Sequence, residues 1–369
     1  MTKLIINVSL ISRIVSTQHN RVLTKESGVK MTLVDRKRKI LEAIINDFIS
    51  TAHPVGSRTI AKKYDLGVSS ATIRNEMADL EELGYLVQPY TSAGRVPSDL
   101  AYRLYVDSLM KKKELESAQK ALMQKHFKSE FRKIDDVIKY SASILSKITN
   151  LTTISMTPKY NYSVVKNVKL IKIDTDKVLL VLVADNDVVK NTVLDLKNIS
   201  DTMLEEITDM LNHKLRGLKI SDINEEVIIG LQKELEMYSS FLDYFEPRII
   251  KSLRKFETSN IYSDGITNIF NLPEYTDIDK AREFISLIED KEKVSKLLDN
   301  NYDKNINVKI GKENEIQEIQ QCSIITATYK LNGKTIGTIG VVGPTRIDYQ
   351  NVIAAMNYLS KLLDSNSEL

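Results

Sequence analysis

The stretch PVGSRTIAKKYDLGVSSATIRNEMADLEELGYLVQPYTSAGRVP, residues 54–97, decides the fold of the N-terminal part. Pro54 disfavours helix at His53 and Gly56 loosens the backbone, so any preceding helix ends here. Ser57 is placed to cap a short helix, RTIAKKY at 58–64. Asp65, Leu66, Gly67 and Val68 follow as a tight connection whose glycine takes positive φ at little cost. Ser69 or Ser70 then caps a helix over 70–83 that stops at Gly84. Helix, glycine turn, helix is the helix-turn-helix pattern. YLVQ at 85–88 and RVP at 95–97 read as short strands around the small-residue turn PYTSAG, and a hairpin directly behind such a helix is a wing.

Working outward, Ile40, Leu41, Ile44, Ile45, Phe48 and Ile49 recur at helical spacing between Leu33 and Thr51, with Arg36, Lys37, Arg38 and Lys39 at the basic start. From Asp99 a further helix carries Tyr102, Tyr105, Val106, Leu109 and Met110 on one side and ends at Lys111, Lys112 and Lys113, where the domain boundary is expected. On the 70–83 helix, Ile73, Met77, Leu80 and Leu83 form the apolar stripe. The opposite side offers Ala71, Arg74, Asn75 and Ala78, flanked by Ser70. Small residues permit close approach to a major groove, asparagine can bond both edge atoms of adenine, and arginine can fork onto guanine. Ser69 and Thr72 complete the N-terminal turn that would enter the groove. Ser57, Arg58 and Lys62 would then meet phosphates, which position without specifying sequence, and Thr91, Ser92 and Arg95 of the wing would do likewise or enter the minor groove.

The composition permits this reading without announcing it. Net charge is only +3 over 369 residues, so any basic footprint is local, and the length suggests two or three domains. A single cysteine, Cys322, excludes an internal disulfide framework, and four scattered histidines argue against a structural zinc site; a reducing cytoplasm is the expected compartment. No metal and no cofactor are expected. The apolar run LIINVSLISRIV at 4–15 is too short to span a bilayer and contains Arg13. Residues 1–30 read as a disordered arm or an over-extended start, with Met31 the functional beginning.

Beyond residue 113 the pattern changes. A helical region over 114–150 precedes β-type runs at 151–156, 164–173 and 178–183; residues 201–258 read as helical and charged. Strands resume at 323–331 and 335–343 around NGK, and a helix from Asp348 to Leu363 closes the chain. Strands split by a helical insertion suggest one interrupted α+β domain.

The string at 54–86, followed by TSAGRVP at 91–97, DGITNIFNLPEY at 264–275, CSIITATY at 322–329 and GTIGVVGPTRIDY at 337–349, resembles the HrcA family of heat-inducible transcription repressors, and the likeness covers nearly everything after Met31. The resemblance implies an α+β multidomain protein: a winged helix-turn-helix at 31–113 and a GAF-like domain in two parts, 114–200 and 259–369. Between these parts it implies a mainly helical dimerising insertion at 201–258. It further implies a homodimer that binds double-stranded operator DNA bearing an inverted repeat, represses chaperonin and Hsp70-chaperone operons until heat stress, and depends on the GroEL chaperonin.

Two rivals stand against this reading. Gly337, Gly340 and Gly343 before a helix could suggest an enzyme's phosphate loop, but their spacing is G-x-x-G-x-x-G, not a dinucleotide fingerprint, and no lysine follows. The alternative of a small-molecule-responsive winged-helix regulator with a ligand-binding GAF domain rests on fold analogy alone, since no polar cluster for a ligand stands out. Cys322 beside a β-rich run reads as a buried small hydrophobe, not a redox switch.

Overall fold

The regular spacing of Ile40, Leu41, Ile44 and Ile45 becomes one fully buried side of helix α1 (Val29–Thr51) in the computed structural model. The structure describes residues 29–127, 134–157, 163–185, 189–195, 199–235, 259–298, 306–331 and 334–365. Nearly all of the expected N-terminal arm, and the last part of the expected insertion, 236–258, lie outside the described residues. After α1 come α2 (Ser57–Lys63), α3 (Ser70–Glu82) and the antiparallel strands β1 (Leu86–Val87) and β2 (Val96–Pro97). Ile60, Ile73, Met77, Leu80 and Leu86 close over α1 as a single apolar cluster.

The expected boundary at residue 113 does not coincide with a break in the core. Helix α4 (Asp99–Leu104), capped by Ser98 and continued by a π-helical turn over Tyr105–Leu109, faces two partners at once. Tyr105 donates its hydroxyl to Asn46 of α1 at 2.8 Å, whereas the ring of Tyr102 lies 5.8 Å from that of Tyr349 near the C-terminus. Residues from Ile40 to Leu363 therefore belong to one continuous cluster. A linker helix with apolar residues on one stripe does not reveal in sequence that the stripe is shared.

Helices α5 (Ser117–Phe127) and α6 (Ile134–Thr149) lead to a five-stranded antiparallel sheet. Its order is β7 (Ile261–Asp264), β3 (Thr152–Met156), β10 (Lys334–Pro344), β9 (Cys322–Leu331), β8 (Ile306–Ile310). Alternation along the strands sends side chains to opposite faces. Ile325, Ala327, Tyr329, Ile339 and Val341 join α6 and the terminal helix α11 (Tyr349–Ser365). On the other face, Ile154, Ile324 and Val342 join α9 (Ile278–Glu289) and α10 (Lys291–Leu298). The glycine row lies inside β10, not in a phosphate loop. A Cβ at Gly337 would meet the carbonyl of Met156 at 2.6 Å and Ile138 of α6 at 2.7 Å; one at Gly340 would meet Leu298 of α10 at 2.8 Å. These glycines let helices approach both faces of the sheet closely.

Cys322 is buried in the second of these cores, 3.3 Å from the hydroxyl of Tyr275. Burial pushes its thiol up to about 11. Since only the thiolate is nucleophilic, the native chain is expected to resist alkylation at pH 8 and to be modified only on unfolding. Rapid stoichiometric labelling of the folded chain would contradict this burial.

The largest departure from the sequence expectation concerns the insertion. Strands β4 (Val165–Asp174), β5 (Lys177–Ala184) and β6 (Val189–Asp195) do not join the five-stranded sheet. They form their own antiparallel sheet, order β4-β5-β6, packed against α7 (Asp201–Leu215) and α8 (Glu225–Leu235) in a core that, among the described residues, is drawn from 165–231. The strand positions at 164–173 and 178–183 agree with expectation, but their assignment to the first GAF-like part at 114–200 is corrected. The separate unit begins near Val165, not at 201. Alternation identifies a strand without naming the sheet it joins.

Candidate nucleic-acid interface

The turn between α2 and α3 uses Gly67 at φ +65°, the left-handed conformation anticipated for it. Ser69 caps α3 by accepting from the backbone N–H of Thr72 at 3.2 Å, and its hydroxyl also lies 3.0 Å from that of Thr72. The far end closes with Gly84 at φ +79°; Gly84 N–H bonds Glu81 O and Tyr85 N–H bonds Leu80 O, both at 2.9 Å. This is the paired arrangement that satisfies orphan carbonyls at a glycine-terminated helix. Two local expectations fail. Ser57 is already helical, so Gly56 occupies the cap position without a side-chain bond. Leu83, beyond the last helical turn, is 55% exposed instead of completing the buried stripe.

The wing is short and firmly attached. Val55 and Arg95 exchange both backbone hydrogen bonds, at 2.8 and 2.9 Å, so a single antiparallel bridge ties the segment joining α1 to α2 to the residue before β2. Gly94 makes this approach possible, because a Cβ there would lie 2.5 Å from the carbonyl oxygen of Val55. The positive φ at the tip belongs to Ser92, at +68°, not to the glycine. Gly94→Ala is expected to force the wing away from Val55 and destabilise the chain by about 1–3 kcal/mol. Urea unfolding would check this, and an unchanged midpoint would contradict the contact.

Charges on α3 are sorted by direction. Glu76 is buried and lies 3.2 Å from Lys37 and 3.6 Å from Arg36 of α1; Lys37 also reaches Asp79 at 2.7 Å. Burial opposes the charge on Lys37, but its hydrogen bonds to Asp79 and Glu76 outweigh that and hold its pKa above the ordinary value. Part of the basic run at 36–39 therefore neutralises the acidic side of α3 internally. Sequence alone does not disclose this, because Glu76 and Lys37 lie on different helices.

Arg95 is likewise drawn inward. Its guanidinium donates to Glu81 at 2.8 Å and is 21% exposed, which ties the wing to α3. An arginine on a hairpin cannot be assigned a partner before the facing helix is known. The other expected residues are all at least partly exposed. Arg58 and Lys62 are exposed on α2, Ala71, Arg74 and Asn75 are exposed on α3, and Thr91 and Ser92 are exposed on the wing. Ser57, Ser70 and Thr72 are half-buried, and Ser69 is exposed. Among the described residues, Arg58, Lys62, Arg74 and Asn75 have no side-chain hydrogen bond or ion pair. The arrangement presents an arginine and an asparagine on the first two turns of a rigidly capped helix, with cations one helix behind.

Four likenesses bear on the chain. Residues 135–353 match the family model described as the HrcA protein C terminal domain. A heat-inducible transcription repressor HrcA of Clostridium tetani is 46% identical over 337 residues, covering 90% of this chain and 95% of that protein. Its counterpart in Clostridium acetobutylicum is 44% identical, covering 91% and 98%. A crystal structure described as a hypothetical protein superposes with a TM-score of 0.56 at 23% identity, covering 90% of this chain and 98% of the other, a likeness of fold.

Proposed function

The chain belongs to the HrcA family of heat-inducible transcription repressors, and from that premise we propose that α1 to β2 act as a winged helix-turn-helix reading an inverted-repeat operator. The observation that carries this is the free, exposed pair Arg74 and Asn75 on α3, whose acidic neighbours Glu76, Asp79 and Glu81 are turned back onto Arg36, Lys37 and Arg95. A helix entering the major groove by its N-terminal turns needs acid kept from the backbone phosphates, and internal pairing supplies that. Arg58 and Lys62 meet phosphate, and Thr91 and Ser92 meet the backbone or minor groove. The setting is the cytoplasm, where the chromosome lies. Titration of the purified chain with operator and scrambled duplexes at several salt concentrations tests this; equal affinity for both throughout would remove the specific role.

An inverted repeat calls for two copies, with half-sites about 34–36 Å or a multiple apart on one DNA face. The second sheet offers a surface for pairing. Ile171, Val189 and Val193 are exposed on the face away from α7, beside the partly buried Leu179, Val181 and Val183. A largely apolar sheet face of this kind, interrupted by Lys169 and Asn191 beside Val181, marks association. Val193→Lys is expected to convert a dimer to a monomer in sedimentation at micromolar concentration while leaving the melting of the monomeric fold near its original temperature; a retained dimer would place the interface elsewhere. The five-stranded half acts as the GAF-like domain that transmits the chaperone state of the cell. Dependence on the GroEL chaperonin follows from family membership as part of this proposal.

A further inference from the structure

Among the described residues, the edge of the second sheet is open in a particular way. Asn212 of α7 accepts from the N–H of Val168 at 2.8 Å and donates to its carbonyl at 2.7 Å, imitating a neighbouring strand at one residue of β4. In an antiparallel pair, alternate residues turn their backbone groups away from the partner strand. Leu170 and Lys172 therefore turn the same way as Val168, and their outward N–H and C=O groups have no partner among the described residues. Beyond Val168 the edge borders a cavity of about 580 Å³ walled by residues 167–172 of β4 and by Asp201, Leu204, Glu205, Thr208, Asp209 and Asn212 of α7. At one end Lys172 donates to Ile199 O at 3.2 Å and lies 3.5 Å from Asp201, and at the other Asn212 holds Val168.

We propose that this groove binds an extended peptide segment of a partner protein, added as a fourth strand on β4 and carrying basic side chains at alternate positions. Strand addition to an exposed edge draws affinity from main-chain hydrogen bonds and specificity from alternate side chains. The helical wall sets which side chains fit. Glu205 and Asp209 are exposed, lack a cation partner among the described residues, and stand four residues apart, about 6 Å along the helix axis. Residues two apart on a strand are separated by about 6.6 Å, so successive basic side chains on the inner face of the added strand meet Glu205 and Asp209 in register. The intervening side chains join the face that carries Ile171 and Val181, and are apolar.

A second copy of the chain fits this edge poorly. Pairing two β4 edges about a two-fold axis normal to the sheet would set two α7 walls against each other, acid facing acid, and like charges so placed oppose association.

The test uses the full chain and a capped, fluorescent hexapeptide alternating valine and lysine, followed by anisotropy. Two controls are the glutamate-for-lysine peptide and a peptide N-methylated at alternate backbone positions, which keeps charge and removes donors. The alternating lysine peptide is expected to bind, and each control to bind at least about tenfold more weakly. Glu205→Lys with Asp209→Lys, both at exposed positions, is expected to weaken binding by a similar factor with an unchanged far-ultraviolet spectrum. Absence of binding, equal binding of the N-methylated or acidic peptide, or concentration-dependent self-association lost in the double variant in place of peptide binding would each overturn the proposal.

Discussion

Replacing Arg74 and Asn75 together by alanine is expected to lower operator affinity by about thirtyfold or more while leaving thermal stability within about 0.5 kcal/mol. Both side chains are exposed on α3 and hold no partner within the described residues, so their removal leaves no buried group unsatisfied. Each bidentate base contact is worth about 1–3 kcal/mol of discrimination, and two such losses give about 2–6 kcal/mol. The loss should fall on operator DNA and spare scrambled DNA, because phosphate contacts from Arg58 and Lys62 remain. Arg58→Ala should do the opposite, weakening both duplexes and flattening the dependence on salt. Competition titrations at two salt concentrations separate these outcomes, and equal losses on both duplexes in the double variant would demote α3 to a phosphate-contacting helix.

Arg346→Ala is expected to destabilise the chain by about 2–4 kcal/mol and to loosen the end of α1. The Arg346 side chain is only 12% exposed. Its guanidinium forks onto Glu274, with one arm at 3.0 Å, and its remaining nitrogen donates to the carbonyl of Ile49 at 3.2 Å. Ile49 lies in the last turn of α1, where carbonyls have no intrahelical partner and the helix dipole favours a cation. One arginine of the C-terminal half thus satisfies the first helix of the N-terminal unit. Arg103 on α4 forms a second tie, donating to Val308 O at 2.7 Å and pairing with Glu313. The effect of Arg346→Ala should appear in hydrogen exchange as faster exchange in the last turns of α1 and in Tm as a fall of several degrees. An unchanged Tm would mean that the shared core around Tyr102 and Tyr349 holds the two halves without these ties.

What was legible in the sequence was local. Caps, glycines and apolar spacing located α1 to α3, the wing strands and the terminal helix, because Ser69, Gly67 and Gly84 act within a few residues of themselves. The exposed face carrying Arg74 and Asn75 followed from a helical wheel. What failed depended on partners distant in sequence. Arg95 could not be matched to Glu81, nor Glu76 to Lys37, without the packing of one element on another. Arg103 and Arg346 went unnoticed because their partners lie 210 and 72 residues away. The insertion was placed too late because strand alternation is the same in either sheet, and only the register of β4 on β5 shows that the chain has left the first one.

Hydroxyl-radical footprinting of the purified chain on the chaperonin promoters of its own organism tests the central claim most directly. The account predicts two protected half-sites on one face of the duplex, centred on an inverted repeat and lost in the Arg74→Ala, Asn75→Ala double variant. Protection that is absent, or that survives in the double variant unchanged, would contradict the assignment of α3 as the helix that reads the operator.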